Sequence, residues 1–105
     1  PWDVETICNS VEKTGRLVVA DSAWVNGSIS AEIVATVLKR NWNKGLKSAP
    51  VRVGLPNAPA PVSSALENVY YPSEKTIYHA STLAMQAEVE TKQFIPTLSI
   101  PEMIV

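Results

Sequence analysis

The segment Lys13–Glu32 reads Lys-Thr-Gly-Arg-Leu-Val-Val-Ala-Asp-Ser-Ala-Trp-Val-Asn-Gly-Ser-Ile-Ser-Ala-Glu, and it leaves the chain few folds to adopt. It runs from a helix end through a buried strand and a glycine-containing loop into the start of another helix. Leu17–Ala20 is a short continuous apolar run, the pattern of a parallel strand covered on both faces. The loop Asp21–Ser28 therefore lies where a strand ends and a helix begins. In an open α/β sheet, ligands and partner chains dock at that edge.

The flanking residues extend the pattern. Asp3 is placed to cap a helix running to about Lys13, with Val4, Ile7, Cys8 and Val11 on one side. Gly15 closes that helix in a left-handed conformation. A second helix is predicted from about Ser28 to Asn43, capped by Ser28 or Asn26 and ended near Gly45. Its apolar residues fall in two rows, Ile29, Ile33 and Val37 beside Val34, Leu38 and Trp42, a stripe wide enough to meet more than one neighbour. Val51–Val53, bounded by Pro50 and Gly54, is the second strand.

Leu55–Pro61 carries three prolines in seven residues and is expected to be an extended surface track. Ala65–Tyr71 reads as a short helical turn followed by a loop. Ser73 caps a third helix through about Glu90, with Ile77, Ala80, Ala84 and Ala87 as one face. Residues 1–90 are thus expected to form one domain and 91–105 an apolar tail broken by Pro96 and Pro101. Phe94, Ile95, Leu98 and Ile100 are too apolar for a solvated end. They are candidate interface residues, and a chain that is at least a dimer is expected.

The order helix, strand, helix, strand, helix predicts a three-layer α/β/α fold around a small, mostly parallel sheet with a right-handed crossover. Two parallel strands make a poor sheet alone. The pattern asks for a further strand, most economically one preceding Pro1. With proline rather than methionine first, the chain is expected to be a piece of a longer protein.

Composition removes several function classes. The 105 residues, 46% hydrophobic and 18% charged, suit one small globular domain. A net charge of −1 without a lysine or arginine cluster excludes phosphate-backbone binding, so no nucleic acid is expected as partner. No apolar stretch approaches the roughly 20 residues that cross a bilayer, so no membrane is expected either. Cys8, the one cysteine, rules out an intrachain disulfide and suits a reducing compartment.

Chemistry-bearing residues are sparse. His79 has no signalled nucleophile or carboxylate partner and reads as a surface or interface histidine. Cys8 reads as a buried, inert thiol. The acidic residues are scattered as solvated helix faces, which excludes a metal cluster. Gly27–Ser28 at a helix start is either an anion cradle or a structural loop, and it lacks a longer glycine motif. No catalytic, cofactor-binding or metal-binding residue is assigned. Asp21 either serves a function at the strand end or accepts N–H bonds from its own loop. Trp24 packs either in a subunit interface or in the domain's own core.

Taken in order, Pro1-Trp2-Asp3-Val4-Glu5-Thr6-Ile7, Lys13–Val19 and Ala31-Glu32-Ile33 carry a resemblance. So do Ala49–Val53, Pro59 and Pro61 before Ser64-Ala65-Leu66-Glu67, and Tyr70-Tyr71-Pro72-Ser73. Over about residues 1–85 the chain resembles the carboxy-terminal domain of the transketolase superfamily. It is most similar there to the beta subunit of the decarboxylase component of pyruvate, branched-chain 2-oxoacid and acetoin dehydrogenases. It departs in having Ala20-Asp21 where an acidic residue often follows a histidine, and Asn26-Gly27 in place of a glycine pair. The resemblance implies an assembly domain that packs subunits together and helps dock the acyltransferase core. It implies thiamine diphosphate and magnesium in the parent enzyme, bound by other domains, with no cofactor in this chain. It also implies a bacterial cytoplasmic or organelle-matrix location. The competing expectation is a free-standing small α/β binding or regulatory module derived from that domain.

Overall fold

A computed structural model of the chain describes residues 1–86. Helix α1 spans Val4–Thr14 and begins as expected, with Asp3 Oδ1 accepting the Thr6 N–H at 3.0 Å and Oδ2 the Thr6 hydroxyl at 2.7 Å. It stops at Gly15, whose φ of 74° is left-handed and whose N–H donates to the Val11 carbonyl. The Thr6 N–H first, then its hydroxyl, hold the Asp3 carboxyl below its ordinary value. A depressed folded-state value means that this cap contributes fully above the unfolded-state value and is lost as pH falls through the folded one. The first turn of α1 should therefore loosen below about pH 4, followed by the NMR shift of the Thr6 amide. Asp3→Asn should keep the cap and abolish that acid dependence.

Strand β1 spans Val18–Trp24 and pairs in parallel with β2, Val51–Leu55. The crossover between them is helix α2, Ile29–Asn41. The expected loop Asp21–Ser28 is therefore corrected: its first half, Asp21–Trp24, continues the strand. The pairing Ala20 to Val53 resumes only at Trp24 to Leu55, so β1 carries a bulge opposite Gly54. A Cβ on Gly54 would sit 2.8 Å from the Ala23 carbonyl oxygen and 3.1 Å from Val25 Cγ1. The bulged strand comes this close only because residue 54 has no side chain. Gly54→Ala should lower unfolding stability by about 1–3 kcal/mol in urea denaturation.

The sheet has helices on both faces. Val51, Val53, Ala80 and Ala84 form one buried cluster with Val18 and Leu83 against it, joining the strands to helix α4, Glu74–Gln86. Alanines four apart let α4 lie close to the strands. Cys8, Val11 and Val37 form the second cluster with Ile7, Leu17 and Ile33, joining α1 and α2. Arg16 Nε donates to the Ala84 carbonyl at 3.1 Å and ties the start of β1 to the end of α4. The three-layer α/β/α reading with a parallel sheet holds.

Two helix faces differ from expectation. In α2 the buried residues are Ser30, Val37 and Asn41, whereas Ile29 and Trp42 are 53% and 80% exposed. Ser30 shares a hydrogen bond with Ser28, and Asn41 Nδ2 donates to the Cys8 carbonyl at 3.1 Å, while Asn41 Oδ1 is buried with no hydrogen-bond partner among the described residues. Ser28 sits at the N-cap position, but its hydroxyl is engaged with Ser30 and Val25 and caps nothing. In α4 Ile77 is exposed, while Ala80 and Ala84 are buried. Ala87, and the expected domain end at residue 90, lie outside the described residues.

Between β2 and α4 the chain follows the proline track 56–61 into α3, Ser64–Tyr70, capped by Ser63. Among the described residues β1 has a strand on one side only. Beside it α1 and β1 wall a hollow of about 560 Å³, lined by Ile7, Ser10, Val11, Val18, Val19 and Ile33 among others.

Candidate assembly surface

The carboxyl ends of the two strands, the proline track and α3 meet on one side of the molecule. Trp24, the last residue of β1, is 55% exposed, and its indole N–H donates to the Tyr70 hydroxyl oxygen at 3.3 Å. Tyr70 is buried, and its O–H donates to the Ala58 carbonyl at 2.7 Å. This relay ties β1, α3 and the proline track together. The indole is anchored by its edge, and its body is left outside the domain's own core. Tyr70 was not singled out from the sequence, although Tyr70-Tyr71 after a helical stretch is its signal.

Tyr70, the partner of Trp24, has apolar neighbours. Leu66 and Val69 of α3 are 56% and 55% exposed, and Tyr71, edge-on to Tyr70 with ring centroids 4.9 Å apart, is exposed as well. A hollow of about 400 Å³ separates α3 from the track, lined by Pro56, Pro59, Pro61, Leu66, Val69 and Tyr70 among others. Large exposed side chains gathered in one place are costly in water unless another surface covers them. The prolines keep the track extended and its backbone short of donors.

A second hollow of about 290 Å³ lies at the strand ends, with Asp21, Val53, Leu55, Tyr71, Pro72 and Ile77 in its wall. Asp21 Oδ1 accepts the Ala23 N–H at 3.2 Å within the bulged part of β1. Arg52 Nη1 donates to the Val25 carbonyl at 2.6 Å and pins the loop that follows Trp24. Sequence reasoning missed that contact, because an arginine in a strand gives no sign of which carbonyl it will reach.

The remaining candidates lie elsewhere. Cys8 is buried between α1 and α2 as a free thiol. His79 is half-buried on α4, edge-on to Tyr78 with centroids 6.0 Å apart. Among the described residues no three His, Cys, Asp or Glu side chains converge as a metal site would require. Of the six candidate interface residues the structure brings Asp21 and Trp24 to one edge. Phe94, Ile95, Leu98 and Ile100 lie outside the described residues.

Comparison with known proteins fits this arrangement. The family model for the transketolase C-terminal domain matches residues 1–77, from the cap of α1 into α4. The chain belongs to that family. It is similar to the acetoin:2,6-dichlorophenolindophenol oxidoreductase subunit beta of Cupriavidus necator, 38% identical over 86 residues, covering 82% of this chain and 25% of the relative. The pyruvate dehydrogenase E1 component subunit beta of Rickettsia bellii is 40% identical over 81 residues, 76% of this chain and 24% of the relative. The mitochondrial subunit of that name from Dictyostelium discoideum is 33% identical over 87 residues, 82% of this chain and 24% of the relative. The chain thus spans about a quarter of the length of these relatives. No helix among the described residues is long and apolar enough to cross a membrane.

Proposed function

We propose that this domain is a subunit-contact module of a thiamine-diphosphate-dependent 2-oxoacid or acetoin dehydrogenase, working in the bacterial cytoplasm or an organelle matrix. One observation carries the reading: the exposed apolar edge centred on Trp24, held rigid through Tyr70 and Ala58. Rigid aromatic side chains on a preformed surface are the anchors that interfaces favour. Its partners are the other subunits of the parent enzyme and the acyltransferase core, and Phe94, Ile95, Leu98 and Ile100 are assigned to the same contact. Thiamine diphosphate and magnesium belong to domains outside this chain.

The open side of β1 supports a second part of the reading. Helix α1 packs on α2 and overhangs the hollow beside β1. A further parallel strand there would pair the edge of β1 that carries no strand among the described residues, and fill the space beneath Ile7 and Val11.

The deciding experiment is to read the coding region upstream of Pro1. A pyrimidine-binding domain supports the reading, whereas a start codon beside Pro1 would favour a free-standing module and overturn it. Two measurements on the chain add to this. Calorimetric titration with thiamine diphosphate and magnesium is expected to give no saturable micromolar binding. Deleting residues 93–105 is expected to lower the mass seen by light scattering, and an unchanged mass removes the tail from the proposed contact.

A further inference from the structure

We infer that Asn26–Gly27 is a modification site. The pair converts spontaneously, through a cyclic imide, to aspartate or isoaspartate, and so plants a carboxylate between Trp24 and the start of α2. The inference stands apart from the assembly reading and uses no part of it.

An asparagine reacts with its own backbone when the nitrogen of the next residue can reach its side-chain amide carbon. That needs a following residue without a side chain, a nitrogen whose N–H is not engaged, and an amide free to turn. Asn26–Gly27 meets every condition. A Cβ built on Gly27 would meet nothing within 4 Å. Both residues are exposed and lie in the turn between β1 and α2. Neither the Gly27 N–H nor the Asn26 amide has a hydrogen-bond partner among the described residues. The flanking residues are fixed instead. Val25 is 3% exposed, its N–H donates to the Leu55 carbonyl at 3.0 Å, and its carbonyl accepts from Arg52 Nη1 at 2.6 Å. Ser28 is buried and shares a hydrogen bond with Ser30. Asn26 and Gly27 are the free tip between them.

The other asparagines lack this combination. Asn9 and Asn68 lie inside α1 and α3, where the next N–H belongs to the helix ladder, and Asn41 is 2% exposed. Asn43 and Asn57 are in loops, but the following N–H is taken in each. Lys44 donates to the Asn41 carbonyl at 3.0 Å, and Ala58 to the Pro56 carbonyl at 2.7 Å. None of the five is followed by glycine.

The step balances with water as the only co-reactant. The Gly27 nitrogen gives its proton to hydroxide and bonds to Asn26 Cγ. The Cγ–Nδ2 bond breaks, and Nδ2 takes a proton from water and leaves as ammonia. Water then adds to one imide carbonyl. Opening at Cγ restores the ordinary backbone with an aspartate, whereas opening at the main-chain carbonyl carries the chain through Cβ and Cγ as isoaspartate. Either product adds a negative charge just ahead of α2, at the end of a helix that favours one. Isoaspartate also lengthens a turn whose ends are pinned.

The test ages the folded 105-residue chain in mildly alkaline buffer, with mildly acidic buffer as reference, and follows it by anion exchange and peptide mapping. Asn26 is expected to convert first, at least about tenfold faster than any other asparagine, with an equal amount of ammonia released. The acidic buffer should slow it, and Asn26→Gln should remove the early acidic species. A peptide of residues 22–30 gives the rate of the pair without a fold, and the folded chain is expected to react within about tenfold of it. A larger lag would mean that the fold protects the pair and would overturn the inference. So would an early acidic species that persists in Asn26→Gln or maps to another asparagine.

Discussion

Val53→Asp is expected to unfold the chain. Val53 is 0% exposed, at the centre of β2, and packs against Ala80 and Ala84 of α4. A carboxylate there has no cation within the cluster and no water, so it is either ionised without a partner or protonated at a cost. The loss should be about 3 kcal/mol or more, against a total stability of roughly 5 kcal/mol at the low end for a small domain. Urea denaturation followed by circular dichroism checks it. Val19→Asp makes the internal comparison. Val19 is half-buried and borders the hollow beside β1, so its carboxylate can reach water and the cost should be visibly smaller. Equal midpoints for Val53→Asp and the parent chain would contradict the placement of β2 between helical layers.

The second large effect concerns assembly. Trp24→Ala removes an aromatic anchor that is 55% exposed, yet fixed in direction by its bond to Tyr70. Truncating such an anchor at the centre of an interface typically costs about 2 kcal/mol or more, roughly a 30-fold loss of affinity. Sedimentation of the chain with co-expressed partner subunits should show that loss while the melting temperature stays nearly constant. Tyr70→Phe separates anchoring from contact. It deletes the donor to Ala58 and the acceptor for Trp24, both inside this domain. It should cost stability of about 1 kcal/mol and weaken assembly less than Trp24→Ala. If Trp24→Ala lowers the melting temperature and leaves assembly intact, the indole serves the fold rather than a partner.

Both effects show how unevenly the fold was written into the chain. Local signals were sufficient where one residue type has one structural use. Asp3 before Val4 and Gly15 after Thr14 each mark a helix end by short-range hydrogen bonding, and the structure shows each in that role. The uninterrupted apolar run at Leu17–Ala20 identified a strand covered on both faces, because only such strands dispense with polar alternation, and Val51–Val53 was marked as the second strand by Pro50 and Gly54 on either side. Their parallel pairing follows from the helix between them.

Signals based on periodicity fared less well at the margins. Ile29, Trp42 and Ile77 belong to apolar stripes by spacing and yet are exposed, while Ser30 and Asn41 are buried. A stripe states which side of a helix is apolar, but which part of it is covered depends on where the neighbouring layer stops. Ser30 and Asn41 are tolerated inside because Ser28 and the Cys8 carbonyl come within reach, and those partners are two and 33 residues away.

The sequence alone determined the family, the order of elements and the layer architecture. These depend on local propensity and on residue spacing, which are properties of the chain itself. Only the tertiary structure decided that β1 runs on to Trp24 through a bulge opposite Gly54, and that Trp24 is held by Tyr70 with its ring left outside the core. It also decided that one oxygen of Asp21 is buried with no hydrogen-bond partner among the described residues. Each of those facts is a distance between segments remote in sequence, set by how closely the strands, the proline track and α3 pack. No local pattern encodes such distances.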